Sequence, residues 1–156
     1  MPASVSMFLD TSALFAGIWS AEGGGRMILK LGEAGVIRLL VSPQVLDEID
    51  NALRRKAPDL LGLLTVLLDR CSIEIVPSPA PEALQKSQAL IGHAGDAQVL
   101  AAAWTSGADY FVTLDRKHFL HNPALRDAVP FPLGTPGDFL AWYRGQLGTD
   151  ENNTLT

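Results

Sequence analysis

Three aspartates stand where a sheet could present them to a shared cation. Asp96 opens an apolar helical stretch, Asp115 follows a run of strand-forming residues, and Asp10 follows another. In the segment HAGDAQVLAAAWTSGADYFVTLDRKH, from His93 to His118, the residues Asp96, Val99, Leu100 and Ala103 recur at i, i+3, i+4 and i+7. The acid therefore heads a row that faces a core. Acids drawn together resist ionisation, and a bound cation is the commonest physical remedy. The chemistry to look for is therefore that of a bound cation.

The elements that would hold these acids follow from apolar patterning and its punctuation. Val5 to Leu9 reads as a strand, and a helix starts at Thr11 directly after Asp10. Taken alone, Asp10 or Ser12 reads more readily as a helix cap than as a ligand. The run Glu22-Gly23-Gly24-Gly25-Arg26 reads as a turn before a helix from Met27 to Ala34. It is not a phosphate cradle, because its glycines follow a helix rather than a strand. Val36 to Val41 forms the second strand, and Ser42-Pro43 starts the next helix with serine as cap and proline in the first turn. On that helix Val45, Leu46, Ile49, Ala52 and Leu53 share a face, Asp47 points away from it, and Glu48 and Asp50 flank it. A carboxylate reaching a cleft from here is Glu48 or Asp50.

Further along, Leu60 to Leu68 reads as a leucine-rich helix, Ser72 to Val76 as a third strand, and Glu82 to Ile91 as a helix after a stiff proline-rich link. Gly107 closes the helix begun near Asp96, and Tyr110 to Leu114 has strand composition. Val129-Pro130-Phe131 suits an edge strand, where proline is tolerated, and a last helix spans Gly137 to Leu147. The polar residues 148–156 read as a mobile tail, leaving one domain over 1–147. Strands alternating with helices predict a three-layer α/β/α sandwich around a mostly parallel sheet. Right-handed crossovers then carry Asp10, Asp96 and Asp115 to one end of it.

Composition narrows the function classes. A chain of 156 residues with 47% hydrophobic and 19% charged residues suits a folded domain, not a disordered segment. A formal charge of -5 argues against a broad basic surface for nucleic acid but leaves room for a local patch. The one compact basic run, Arg54-Arg55-Lys56, reads as a solvated face able to touch phosphates; Arg26, Arg116 and Lys117 are scattered. A single cysteine, Cys71, excludes an internal disulfide and reads as a buried thiol. Without a long apolar run or a leader-like amino terminus, the expected location is the cytoplasm. His93, His118 and His121 lack the spacing of a paired-histidine helix motif and read as solvated or supporting residues. Trp19, Trp104 and Trp142 read as packing residues.

The segments FLDTSAL, VSPQVLDEI and GDAQVLAAAWTSGADYFVTLD, in this order and spacing, resemble the three signature regions of the PIN-domain family. More narrowly they are similar to the VapC-like toxins of prokaryotic toxin–antitoxin modules. The resemblance runs from Val5 to Phe119, and Thr135 to Leu140 matches the family's final helix. It implies a catalytic, metal-binding centre of Asp10, Glu48, Asp96 and Asp115, which selects Glu48 over Asp50. Thr11, Ser12 and Thr113 would be hydroxyl neighbours that orient the carboxylates. It also implies Mg²⁺- or Mn²⁺-dependent hydrolysis of RNA, a homodimer, and a small antitoxin protein as partner.

Two other classes compete. A phosphoryl-transfer protein of similar architecture also places an aspartate after its first strand. A haloacid-dehalogenase-like enzyme, however, wants a second aspartate where Ser12 stands, and the paired acids of a phospho-receiver are missing. An interaction module that keeps a PIN-like fold without nuclease activity would be marked by loss of an acid, and all four are present.

Overall fold

The computed structural model describes residues 4–154, with side chains through Gly148. Its sheet is built from Ser6–Leu9 (β1), Arg38–Val41 (β2), Glu74–Ile75 (β3), Tyr110–Val112 (β4) and Leu133–Gly134 (β5). All pairings are parallel, in the order β3-β2-β1-β4-β5. Every residue of β1 and β4 is buried, so helices cover both faces of the sheet there, which is why these strands read as continuous apolar runs. Phe8 and Phe111 stack between the two strands with ring centroids 5.7 Å apart. From β1 the chain builds outward through β2 and β3, then returns to the other side of β1 for β4 and β5. The strand order thus reverses between β1 and β4, and crevices at such switch points are where open parallel sheets bind ligands.

The helices are Thr11–Trp19 (α1), Gly24–Glu33 (α2), Pro43–Lys56 (α3), Leu61–Arg70 (α4), Pro81–Leu90 (α5), Ala94–Ser106 (α6), Pro123–Ala128 (α7) and Pro136–Thr154 (α8). A single 3₁₀ turn, Pro58–Leu60, precedes α4, and a π turn, Arg116–Leu120, follows β4. Ser42 caps α3 as its sequence predicts, its hydroxyl accepting from the Val45 N–H at 3.2 Å. Gly107 ends α6 in the left-handed conformation at φ 72°. Cys71 is buried, and burial pushes its thiol up. No helix among the described residues is long and apolar enough to cross a membrane.

Two expected boundaries are corrected. The glycine run is not a turn throughout: α2 begins at Gly24, because Gly25 is where α2 crosses α1. A Cβ on Gly25 would lie 2.9 Å from the Gly17 backbone nitrogen, so only glycine permits this approach. The edge strand falls at Leu133–Gly134 and not at Val129–Phe131. Pro130 and Pro132 have no N–H to give a ladder, and pairing starts where the Pro132 carbonyl accepts from Phe111. The expected tail, 148–156, falls mainly on residues whose side chains lie outside those described, and its last two residues lie outside altogether.

Candidate metal centre

Asp10 continues the ladder beyond β1, its N–H donating to the Val112 carbonyl at 2.9 Å, which fixes it at the carboxyl edge of the sheet. It occupies the position before α1, yet its side chain caps nothing. Instead, Oδ2 accepts from the hydroxyls of Thr113 at 2.7 Å and Ser12 at 3.0 Å. Burial pushes this carboxyl up to about 6; the two hydroxyls and the Thr11 backbone pull it down, and the negative charge of Asp96 adds to the rise. A carboxylate buried this deeply among hydroxyls is held in place at the expense of its own ionisation.

Glu48 reaches the same edge from α3. Its Oε2 accepts from the Thr11 hydroxyl, and its Oε1 accepts from the Gln44 amide at 2.9 Å. A Cβ on Gly95, next to Asp96, would lie 3.2 Å from Glu48 Oε1, so the glutamate abuts the start of α6. Asp50 turns outward and pairs with Arg54 at 2.8 Å. The two acids that flank the helical stripe thus have different surroundings, Glu48 beside Thr11 and the start of α6, Asp50 against Arg54.

Asp96 and Asp115 meet at His118. The His118 Nδ1 lies 3.1 Å from Asp96 Oδ2 and 2.9 Å from Asp115 Oδ2, and ligand atoms of all three residues lie within 4.8 Å of one another. Asp115 Oδ1 accepts from the His118 N–H at 3.0 Å, and the Asp115 N–H donates to Thr113 Oγ1 at 3.0 Å. Burial raises Asp96; the nearby His93 and His118 oppose that rise, and the charges of Asp115 and Glu48 reinforce it. Asp115 is held below the usual carboxylate range: burial alone would raise it, but hydrogen bonds from the His118 backbone and ring prevail. Asp10 senses Asp96, and Asp96 senses Asp115 and Glu48, so like charges from four separate segments act on one another.

The donor set fits a divalent cation. Three partly buried donors, two of them acidic, converge, with Asp10 and Glu48 near enough for their charges to act on Asp96, and a positive ion there would relieve the mutual repulsion. The hydroxyls orient the acids: Thr11 holds Glu48, while Ser12 and Thr113 hold Asp10. Such an assembly can bind a metal and present it to a phosphodiester. The sequence reads His118 as a solvated or supporting residue, and the structure sets its ring against both Asp96 and Asp115. The weak signal was its place three residues after Asp115, a spacing that brings side chains together only once the turn is known. The other two histidines differ from it: His93 caps α6 by accepting from the Asp96 N–H at 3.3 Å and is largely exposed although its Nδ1 also lies 3.3 Å from Asp96 Oδ2, and His121 is exposed.

Comparison with known proteins gives the fold a family context. The model of the PIN domain family matches residues 6–117. The chain is similar to VapBC2 from Rickettsia felis bound to a promoter DNA fragment, at 18% identity and TM-score 0.62, over 84% of this chain and 98% of that one. It is similar to DNA-bound VapBC from Salmonella typhimurium, at 18% identity and TM-score 0.62, over 85% and 98% of the two chains. It also resembles Mycobacterium tuberculosis VapC20, a sarcin–ricin loop cleaving toxin, at 14% identity and TM-score 0.52, over 74% and 94%. At these identities the likeness is one of fold. Among curated proteins, none matches the chain in sequence.

Proposed function

The chain belongs to the PIN domain family, and from that premise we propose that it is a divalent-metal-dependent ribonuclease, the toxin component of a toxin–antitoxin pair. The observation that carries this reading is the meeting of Asp96, Asp115 and His118 at the edge where Asp10 and Glu48 also arrive. Asp10, Glu48, Asp96 and Asp115 are the proposed catalytic set, and Mg²⁺ or Mn²⁺ is the proposed cofactor. When bound, such an ion polarises a phosphoryl oxygen and lowers the pKa of a coordinated water.

The chain's own residues supply the rest. Asp10, locked by Thr113 and Ser12, is the fixed point of the centre. Asp96 or Asp115, at the solvent-facing side, orients the attacking water and accepts its proton. Arg116 and Lys117 are exposed in the π turn directly after Asp115 and can meet the phosphates of an RNA strand. Arg54, Arg55 and Lys56 lie at the far end of α3, six to eight residues beyond Glu48 and about 9–12 Å along the helix axis, and are less suited to that task. A homodimer, a small antitoxin protein as partner and a cytoplasmic location complete the proposal, supported by the family and by the VapBC neighbours.

The test is direct. Purified protein should cut RNA when Mg²⁺ or Mn²⁺ is supplied and stop when it is chelated, and Asp10→Asn should be inactive. Equal cutting by Asp10→Asn would place the activity in another site or another protein. Metal binding without any RNA cleavage would favour an interaction module on the same fold.

A further inference from the structure

We propose that His118 joins the centre as a nitrogen ligand through Nδ1, and that it biases metal choice toward Mn²⁺ and later first-row ions over Mg²⁺. The inference rests on the metal-centre reading above and adds a donor of a different chemical kind to the four carboxylates.

The geometry is specific. Nδ1 faces two carboxylate oxygens from different elements, at 2.9 and 3.1 Å. Neighbouring donors at right angles around an ion that holds each at about 2.1 Å lie about 3.0 Å apart. Nδ1 thus already stands at the spacing of an adjacent ligand from each carboxylate oxygen, and the three donors lie within 4.8 Å of one another. A protonated ring hydrogen-bonded to both acids would show the same distances, so the experiment must separate ligand from hydrogen-bond donor.

The ring is also held where it stands. The π turn closes through bonds from Leu120 N–H to the Asp115 carbonyl at 3.1 Å and from His121 N–H to the Arg116 carbonyl at 2.7 Å. Phe119, next to His118, is fully buried against Phe111. The Asn122 amide donates to the carbonyls of His118 at 3.3 Å and Leu90 at 3.1 Å, tying the turn to the end of α5. His93 is the natural rival, but its Nδ1 already accepts the Asp96 N–H and its side chain is 61% exposed, against 35% for His118.

A nitrogen donor has a chemical consequence. Mg²⁺ favours oxygen ligands and holds imidazole poorly, whereas affinity for a mixed nitrogen–oxygen site rises from Mn²⁺ along the first row. The test is pulsed EPR on the Mn²⁺-loaded full-length protein, with natural-abundance and ¹⁵N-histidine samples, alongside calorimetric titration with Mn²⁺ and Mg²⁺. The expected spectrum shows a directly coordinated nitrogen whose coupling changes with ¹⁵N-histidine and vanishes in His118→Ala. The variant should lose about tenfold or more in Mn²⁺ affinity and less than about threefold for Mg²⁺. Bound Mn²⁺ with no coordinated histidine nitrogen in the wild type overturns the proposal and leaves the carboxylate centre standing. Persistence of the nitrogen signal in a folded His118→Ala also overturns it. No Mn²⁺ binding at all would overturn both this inference and the metal-centre reading. The wild-type spectrum decides the question even if the variant does not fold.

Discussion

The Thr113 hydroxyl donates to Asp10 Oδ2 at 2.7 Å, linking the loop after β4 to the residue after β1. Thr113 Oγ1 in turn accepts the Asp115 N–H at 3.0 Å, so one fully buried threonine sets the relative position of two acids from remote parts of the chain. Thr113→Val keeps the shape but removes both bonds. It should destabilise the metal-free protein by about 1–3 kcal/mol and weaken Mn²⁺ binding, while Thr113→Ser should restore most of the loss. Denaturant unfolding and calorimetry on the pair check this; a valine variant with wild-type metal affinity would contradict it.

Asp10 gives the pH dependence its sign. Its carboxyl titrates at about 6 in the folded protein, against an ordinary value of 3.8, because it is buried. Between these two values the folded state binds more protons than the unfolded one, so metal-free stability falls as pH rises through the window. Above it, the ionised group costs the fold about 3 kcal/mol. Asp10→Asn should therefore melt about 6–12 °C higher than wild type at pH 7.5 in chelator, with the difference nearly gone near pH 4. The same variant should lose most of the gain in melting temperature that Mn²⁺ gives wild type. A lower melting temperature for Asp10→Asn at pH 7.5 in chelator would contradict the account.

The α1–α2 crossing sets packing against propensity. Alanine at an exposed mid-helix glycine gains about 1 kcal/mol. At Gly25 the added Cβ would sit 2.9 Å from the Gly17 backbone nitrogen and 3.2 Å from the Ala13 carbonyl oxygen, and backbone atoms cannot swing aside. Gly25→Ala should therefore destabilise the protein by about 1–3 kcal/mol; a gain in stability would show that the helices separate easily.

If RNA is the substrate, charge placement separates two basic groups. Arg116→Ala with Lys117→Ala, beside the centre, should raise KM and flatten the salt dependence of RNA binding. Arg54→Ala with Arg55→Ala should change both much less, since those residues lie well along α3 and Arg54 is already paired with Asp50. Steady-state kinetics at several salt concentrations reads out the difference, and equal effects would remove the π turn from the substrate path.

What the sequence made legible follows from how its elements are buried. Strands covered on both faces read as short apolar runs, and an acid at the end of each run stands out, so Asp10 and Asp115 could be placed at one sheet edge. Alternation of strands and helices gave the layered architecture for the same reason. Tertiary relationships were less visible. Glu48 and Asp50 flank one stripe equally, so the helical pattern cannot separate them; the family resemblance favours Glu48, and in the structure Glu48 meets Thr11 while Asp50 meets Arg54. The glycine run read as a turn because the value of Gly25 lies in a neighbour, Gly17, eight residues earlier. His118 depends on a π turn, whose i to i+5 bonds leave no apolar period to detect.

The claim beneath these predictions is that Asp96 and Asp115, with Asp10 behind them, gather to hold a cation. Anomalous diffraction from crystals soaked in Mn²⁺ tests it most directly. The account predicts one strong peak within about 2.5 Å of oxygens from both Asp96 and Asp115. A well-ordered site with no peak there, or a peak bound only elsewhere on the surface, would contradict it.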